Sequence, residues 1–245
     1  MSPNTSAIHI GTSGWSYPHW RGSFYPSELP SSEWFGYYRQ HFDSVELNAT
    51  FYRLPSPETV TQWRDRMTGS FVCSVKGSRY LTHLKKLKDP KQGLSRFLER
   101  IKLLDPFLGP LLFQLPPRWR CNVERLEAFL AAMSPEYACA FEFRDQSWFC
   151  DEVYAVLRAH GAAFCMYDFD RRQSPRLVTA DVVYIRLHGP DGAYCGSYSR
   201  QTLQEWAEAI RQWVRDGRQV YCYFDNDEAG YAARDALALQ DLLNV

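Results

Sequence analysis

Eight short strand-like segments recur along this chain, and amphipathic helical stretches separate nearly all of them. No other feature narrows the fold as much. The segments are Ile8–Thr12, Val45–Ala49, Phe71–Lys76, Pro110–Leu115, Ala138–Arg144, Ala163–Asp168, Val182–His188 and Gln219–Phe224. Between them, Leu94, Phe97, Leu98, Ile101 and Leu104 form one helical stripe, and Leu203, Trp206, Ala207, Ile210, Trp213 and Val214 another. Further helices are expected at Ser32–Phe42, at Pro57–Met67, around Leu126–Met133 and Val153–His160, and at Ala229–Leu243. The stretch after Asp168, DRRQSPRLVTAD, has no stripe, so the sixth helix is short or missing.

Strands joined by helical crossovers run parallel and wind right-handed. At 245 residues, eight such units favour a single domain, 1–245, folded as an α/β (β/α)8 TIM-like barrel. An open Rossmann-like sheet is the competing arrangement. Its glycine fingerprint is absent, since GTSGW after the first strand has the wrong spacing and runs into aromatics rather than a helix.

Composition sets outer limits. Lys+Arg 28 balances Asp+Glu 28, which disfavours a dedicated nucleic-acid coat or a polybasic membrane binder. No apolar run is long enough to span a bilayer, and Met1–Ala7 is polar, without the core of a signal peptide. The seven cysteines include no CxxC pair, which fits free thiols in a reducing cytoplasm. Nothing in the sequence fixes an oligomeric state.

Side chains alternate along a barrel strand between the helical shell and the interior. With the large apolar residues placed outward, the inward positions near the strand ends are polar almost throughout. They are His9, Gly11 and Ser13; Glu46 and Asn48; Ser74 and Lys76; Gln114; Glu142 and Arg144; Arg186 and His188. Asp168 is a further candidate, and either Asp225 or Asn226 closes the ring. The C-terminal rim of such a barrel is where enzymes of this fold place their chemistry. A bland alternative is an ion-pair network that merely closes the barrel top.

The mixed charge limits the chemistry. Glu46 and Glu142, on strands roughly across the barrel, suit general acid–base or glycosidase-type work. Lys76, Arg144 and Arg186 suit an anion clamp, with Lys76 and His188 also counted as catalytic candidates. Ser13, Asn48 and Gln114 would orient substrate. Among aromatics beyond strand ends, Trp15, Tyr52 and Trp148 are candidate walls, and Arg79 and His83 extend a cationic edge beside Lys76. Few histidines lie at strand ends, so no cofactor is expected and a single divalent cation is not favoured.

Taken together, the motifs IGTSGWSY, VELNATFYRLP, VKGSRYLTH, LLFQLPPRW, FEFRDQSW, YIRLHG and YFDND resemble the YecE-like family, catalogued as a domain of unknown function. The resemblance runs from Ile8 to the final helix and implies a TIM-like barrel, with no established activity attached. It places Asp225 where asparagine is the more usual residue. Three functions follow as expectations. The first is a hydrolase or lyase acting on a small anionic sugar- or phosphate-bearing substrate. The second is a nucleic-acid binder or repair-type endonuclease using Arg79, Arg118, Arg120, Arg171 and Arg172, which the charge balance disfavours. The third is a non-catalytic ligand-binding module.

Overall fold

The fold was analysed in a computed structural model that describes residues 6–245, so most of the polar Met1–Ala7 segment lies outside the described residues. The strands are β1 (Ile8–Thr12), β2 (Ser44–Leu47), β3 (Val72–Lys76), β4 (Leu108–Gln114), β5 (Cys139–Glu142), β6 (Ala163–Phe169), β7 (Arg172–Gln173), β8 (Val182–Leu187) and β9 (Gln219–Phe224). The helices are α1 (Trp34–His41), α2 (Ala49–Tyr52), α3 (Pro57–Asp65), α4 (Pro90–Ile101), α5 (Val123–Ala131), α6 (Asp151–Ala159), α7 (Arg200–Arg215) and α8 (Tyr231–Leu243). The strand order is β1-β9-β8-β6-β5-β4-β3-β2, with parallel pairing throughout. The two ends of this order meet at an isolated parallel bridge between Ser13 and Glu46. The result is a nearly closed eight-stranded TIM-like barrel.

Side-chain caps start several helices where the sequence places them. Ser56 accepts from the Thr59 N–H at 3.2 Å ahead of Pro57, and Ser199 accepts from the Thr202 N–H at 3.1 Å. No helix joins β6 to β8. Asp170 and Arg171 turn at φ 51° and 59°, and β7 folds back antiparallel on β6. The second strand is shorter than expected. Asn48 leaves the extended region, and the single turn α2 begins at Ala49, where Thr50 Oγ1 donates to the Lys76 carbonyl at 2.7 Å.

The outward strand residues and the inner helix faces form one large apolar core, in which Val45, Leu111, Phe113, Phe141 and Ile185 are buried. Inside the barrel, Leu112, Ala140, Ala163 and Cys165 pack with Tyr184, Tyr221 and Tyr223. Small residues face large rings across this interior. Tyr223 OH bonds Ser44 Oγ at 2.6 Å and Ser74 Oγ at 2.8 Å, tying β9 through the interior to β2 and β3.

The β1–β2 seam is unlike the other seven, since a phenol from the helical shell stands in it. Tyr38 OH accepts from the Thr12 N–H at 3.0 Å and donates to the Ser44 carbonyl at 2.9 Å. Gly11 makes the close approach feasible, because a Cβ there would stand 2.1 Å from the Ser44 oxygen. Replacing Tyr38 by phenylalanine leaves both buried backbone groups without this partner. Urea denaturation is expected to show a loss of about 1–3 kcal/mol with an unchanged m-value.

Candidate functional site at the C-terminal mouth

Arg186 occupies the centre of the mouth, fully buried, because β8 alternates Tyr184, Arg186 and His188 toward the interior. Its Nε and Nη2 hold both oxygens of Glu46, with Nη2 at 2.8 Å from Oε1. Its Nη1 donates to Glu142 Oε2 at 2.8 Å, and Nη2 also reaches Asp225 Oδ2 at 2.9 Å. Glu46 accepts further bonds from Ser13 Oγ and Tyr184 OH, each at 2.7 Å. Glu142 is paired again by Arg144 Nε. Burial opposes ionisation of Glu142, but Arg144 and Arg186 outweigh it and hold its carboxyl far below the usual range.

His188 is neutral in this setting. Its Nε2 takes hydrogen bonds from Arg186 Nη1 at 2.8 Å and Arg144 Nη2 at 3.0 Å, and its Nδ1 lies 3.1 Å from the Asp168 carbonyl. Two cationic donors at Nε2 fix that nitrogen as the acceptor and Nδ1 as the N–H. Burial, then the two arginines, push the imidazole well below its ordinary pKa.

Three groups behave differently. Lys76 Nζ has no hydrogen bond or ion pair with any described residue and lies 4.6 Å from the centroid of the Phe51 ring. Burial, followed by Arg186, lowers its pKa to about 8 against the pull of Glu142, Glu46 and Asp225. Asp225 is pushed up to about 7, since burial and the nearby Glu46 outweigh Arg186. Arg144 is stacked on Phe169, 3.8 Å from its centroid, with Tyr167 at 4.9 Å, and its buried Nη1 has no partner. Asn48 Oδ1 is likewise buried and unpartnered.

A family model described as "Protein of unknown function DUF72" matches residues 9–245. The chain belongs to the DUF72 family. Among its relatives, UPF0759 protein YunF of Bacillus subtilis is 26% identical over 97% of this chain and 95% of the relative. UPF0759 protein YecE of Escherichia coli is 32% identical over 84% of this chain and 82% of its own length. A solved DUF72 family protein from Thermotoga maritima superposes with a TM-score of 0.89 at 31% identity, covering 97% of this chain and 99% of that one. A DUF72 family protein from Enterococcus faecalis, 20% identical, shares the fold with a TM-score of 0.84 over 97% of this chain and 96% of its own.

In this DUF72 barrel the structure brings together Ser13, Glu46, Lys76, Glu142, Arg144, Arg186, His188 and Asp225, with Gln114 in register beside Glu142. Apart from Asn48, the remaining sequence candidates lie elsewhere. Trp15 packs on Phe35 of α1, with ring centroids 4.8 Å apart. Trp148 is buried, stacks on Phe143 and donates to the Trp119 carbonyl at 2.7 Å. Asn226 points outward and holds Gly196 O and Asp235 Oδ2, both at 2.8 Å. The Asp168 side chain also turns from the mouth, toward Gln173. Tyr52 and Arg79 line a groove beside the mouth, and His83 packs edge-on to Phe51 at 5.0 Å. Burial, with Lys76 and Arg79 nearby, lowers the His83 pKa to about 4.

The expected roles of two carboxylates also change. An acid–base or glycosidase pair needs the substrate between its carboxyls. The Arg186 guanidinium occupies that position between Glu46 and Glu142, which leaves no room for a substrate directly between the two carboxyls. Proton transfer by His188 is disfavoured in the same way, because its acceptor nitrogen is already engaged. Among the described residues no three His, Cys, Asp or Glu side chains are grouped to hold a metal ion.

Sequence reasoning missed Tyr184, Phe169 and Phe51. Tyr184 shares its parity with Arg186 and His188, a usable signal that the outward assignment of large residues hid. Asp225 supplies a test of the site's electrostatics. Unfolded, its carboxyl releases the proton near the ordinary aspartate value of 3.8; folded, it keeps it to about 7. Stability contributed by this group is therefore lost as pH rises between those values. Asp225→Asn is expected to gain stability relative to wild type as pH rises from about 4 to about 7, and to keep that gain above it, in paired denaturation curves. A gap that stays constant contradicts the raised pKa.

Proposed function

We propose that the protein is an enzyme acting at the barrel mouth on a small anionic, sugar- or phosphate-bearing substrate. Its chemistry is of the lyase type, with Lys76 as the amine that engages a substrate carbonyl. One observation carries this reading: Lys76 Nζ has no polar partner among the described residues, although carboxylates neutralised by arginine surround it. A buried lysine kept for stability would be paired.

With its pKa near 8, roughly a tenth of Lys76 is the neutral amine at pH 7. The neutral Nζ attacks the carbonyl carbon, and the carbinolamine loses water to give a protonated imine. That imine accepts the electron pair of the neighbouring C–C bond as the other fragment, losing its hydroxyl proton, departs as a carbonyl compound. The resulting enamine takes up a proton at carbon, and water then hydrolyses the imine, releasing the product and restoring the amine. Asp225, partly protonated near neutral pH, is the titrating group suited to the dehydration step. Arg144 Nη1 supplies an open donor for the substrate's anionic group, and Asn48 Oδ1 an acceptor for a hydroxyl.

Reductive trapping tests this directly. The protein is incubated with glyoxylate, pyruvate or glyceraldehyde phosphate plus cyanoborohydride, and the adduct is mapped by peptide mass spectrometry. The expected result is one dominant adduct on Lys76, forming faster as pH rises through about 8 and absent in Lys76→Arg. Adducts confined to exposed lysines, or undiminished in Lys76→Arg, overturn the assignment.

A further inference from the structure

Beside the mouth, the loops after β2 and β3 and the start of α4 enclose a groove of about 540 Å³, lined by Tyr52, Arg53, Arg79, Tyr80, Leu84 and Arg96 among others. None of its lining residues is acidic. Tyr52 is 73% exposed, Leu84 67% and Tyr80 47%, so three of the five exposed large apolar side chains among the described residues share this one groove. A chain with a full core does not gather exposed rings without a use for them.

The charge is equally local. The whole chain is neutral, yet residues 76–96 carry seven lysines and arginines against the single carboxylate of Asp89. Arg53, Arg79, Lys85, Lys86, Lys88, Lys91 and Arg96 form no ion pair with described residues. The backbone here is also unusual. Tyr80–Leu84 is a π-helical turn, and Lys86, Leu87 and Asp89 all have positive φ. Such conformations are costly and cluster where a surface is shaped for a ligand.

We propose that this groove is a binding site for single-stranded nucleic acid. Each exposed ring has a cation as its chain neighbour: Arg53 follows Tyr52, Arg79 precedes Tyr80, and Lys85 Nζ lies 6.0 Å from the Tyr80 ring centroid. A single strand offers the matching alternation of planar base and phosphate. An acidic peptide matches the charge but not the rings, and duplex DNA keeps its bases stacked away from them. The proposal stands on surface chemistry and goes beyond the lysine reading. The two regions do adjoin, since the Phe51 ring beneath Lys76 meets Tyr52 edge-on at 5.2 Å.

Fluorescence anisotropy with labelled oligothymidylate and oligouridylate of about 12 nucleotides tests the site. Binding is expected to weaken steeply with salt, and Arg79→Glu/Arg96→Glu should flatten that dependence and reduce affinity about tenfold or more. Tyr52→Ala should cost about fivefold or more with an unchanged salt slope. Arg171→Glu/Arg172→Glu, on a different rim loop, should leave affinity unchanged. These positions are exposed, and thermal melting checks that each variant is folded. No binding at low salt overturns the proposal. So does displacement of the oligonucleotide by polyglutamate at equal charge, which assigns the groove to an acidic protein. Equal affinity for duplex, or no effect of Tyr52→Ala, removes the stacking on which the proposal depends.

Discussion

One guanidinium organises the upper half of this barrel. Arg186 holds Glu46, Glu142 and Asp225 at once, and it is buried completely. Removing any one of these charges from water is expensive, and a partial set would leave an uncompensated ion in a dry interior. The residues are therefore interdependent. Tyr184 and Ser13 complete the shell of Glu46, Arg144 completes that of Glu142, and His188 fits only as a neutral acceptor between two arginines.

This network also determines what is left over. Arginine, not lysine, neutralises each carboxylate, because its planar fork reaches several oxygens and it cannot lose its charge. Lys76 is thereby left on an aromatic face in a field of fixed charges, with its proton loosely held. Asp225 is the carboxylate that the network compensates least, and it titrates near neutrality. A tier of arginine-paired carboxylates with two shifted titrating groups beside it is the arrangement on which the proposed lysine chemistry rests.

Much of this was legible in the sequence, for a simple reason. Period-two alternation assigns parity, and parity alone puts Glu46, Lys76, Glu142, Arg144 and Arg186 in one ring. The family membership and barrel fold agree with the motif set. Parity carries no information about pairing, so the sequence left Glu46 and Glu142 as acid–base candidates until Arg186 was found between them. Tryptophans just past strand ends are ambiguous for a similar reason. Trp15 and Trp148 turned toward the shell because Phe35 and Phe143 offer large partners there. Asn226 differs from Asp225 by one position and hence by one face, where it meets Asp235 of α8.

The seam between β1 and β2 has a consequence of its own. Seven of the eight strand junctions are closed by runs of backbone pairing, and this one by Tyr38, the Ser13–Glu46 bridge and the Ser13 hydroxyl on the Glu46 carboxylate. Glu46 is thus both the carboxylate gripped by Arg186 and the residue at which the sheet meets itself. The barrel's last junction is thus made by one backbone bridge and a few side chains, and the charges at its centre share a residue with the closure of its sheet.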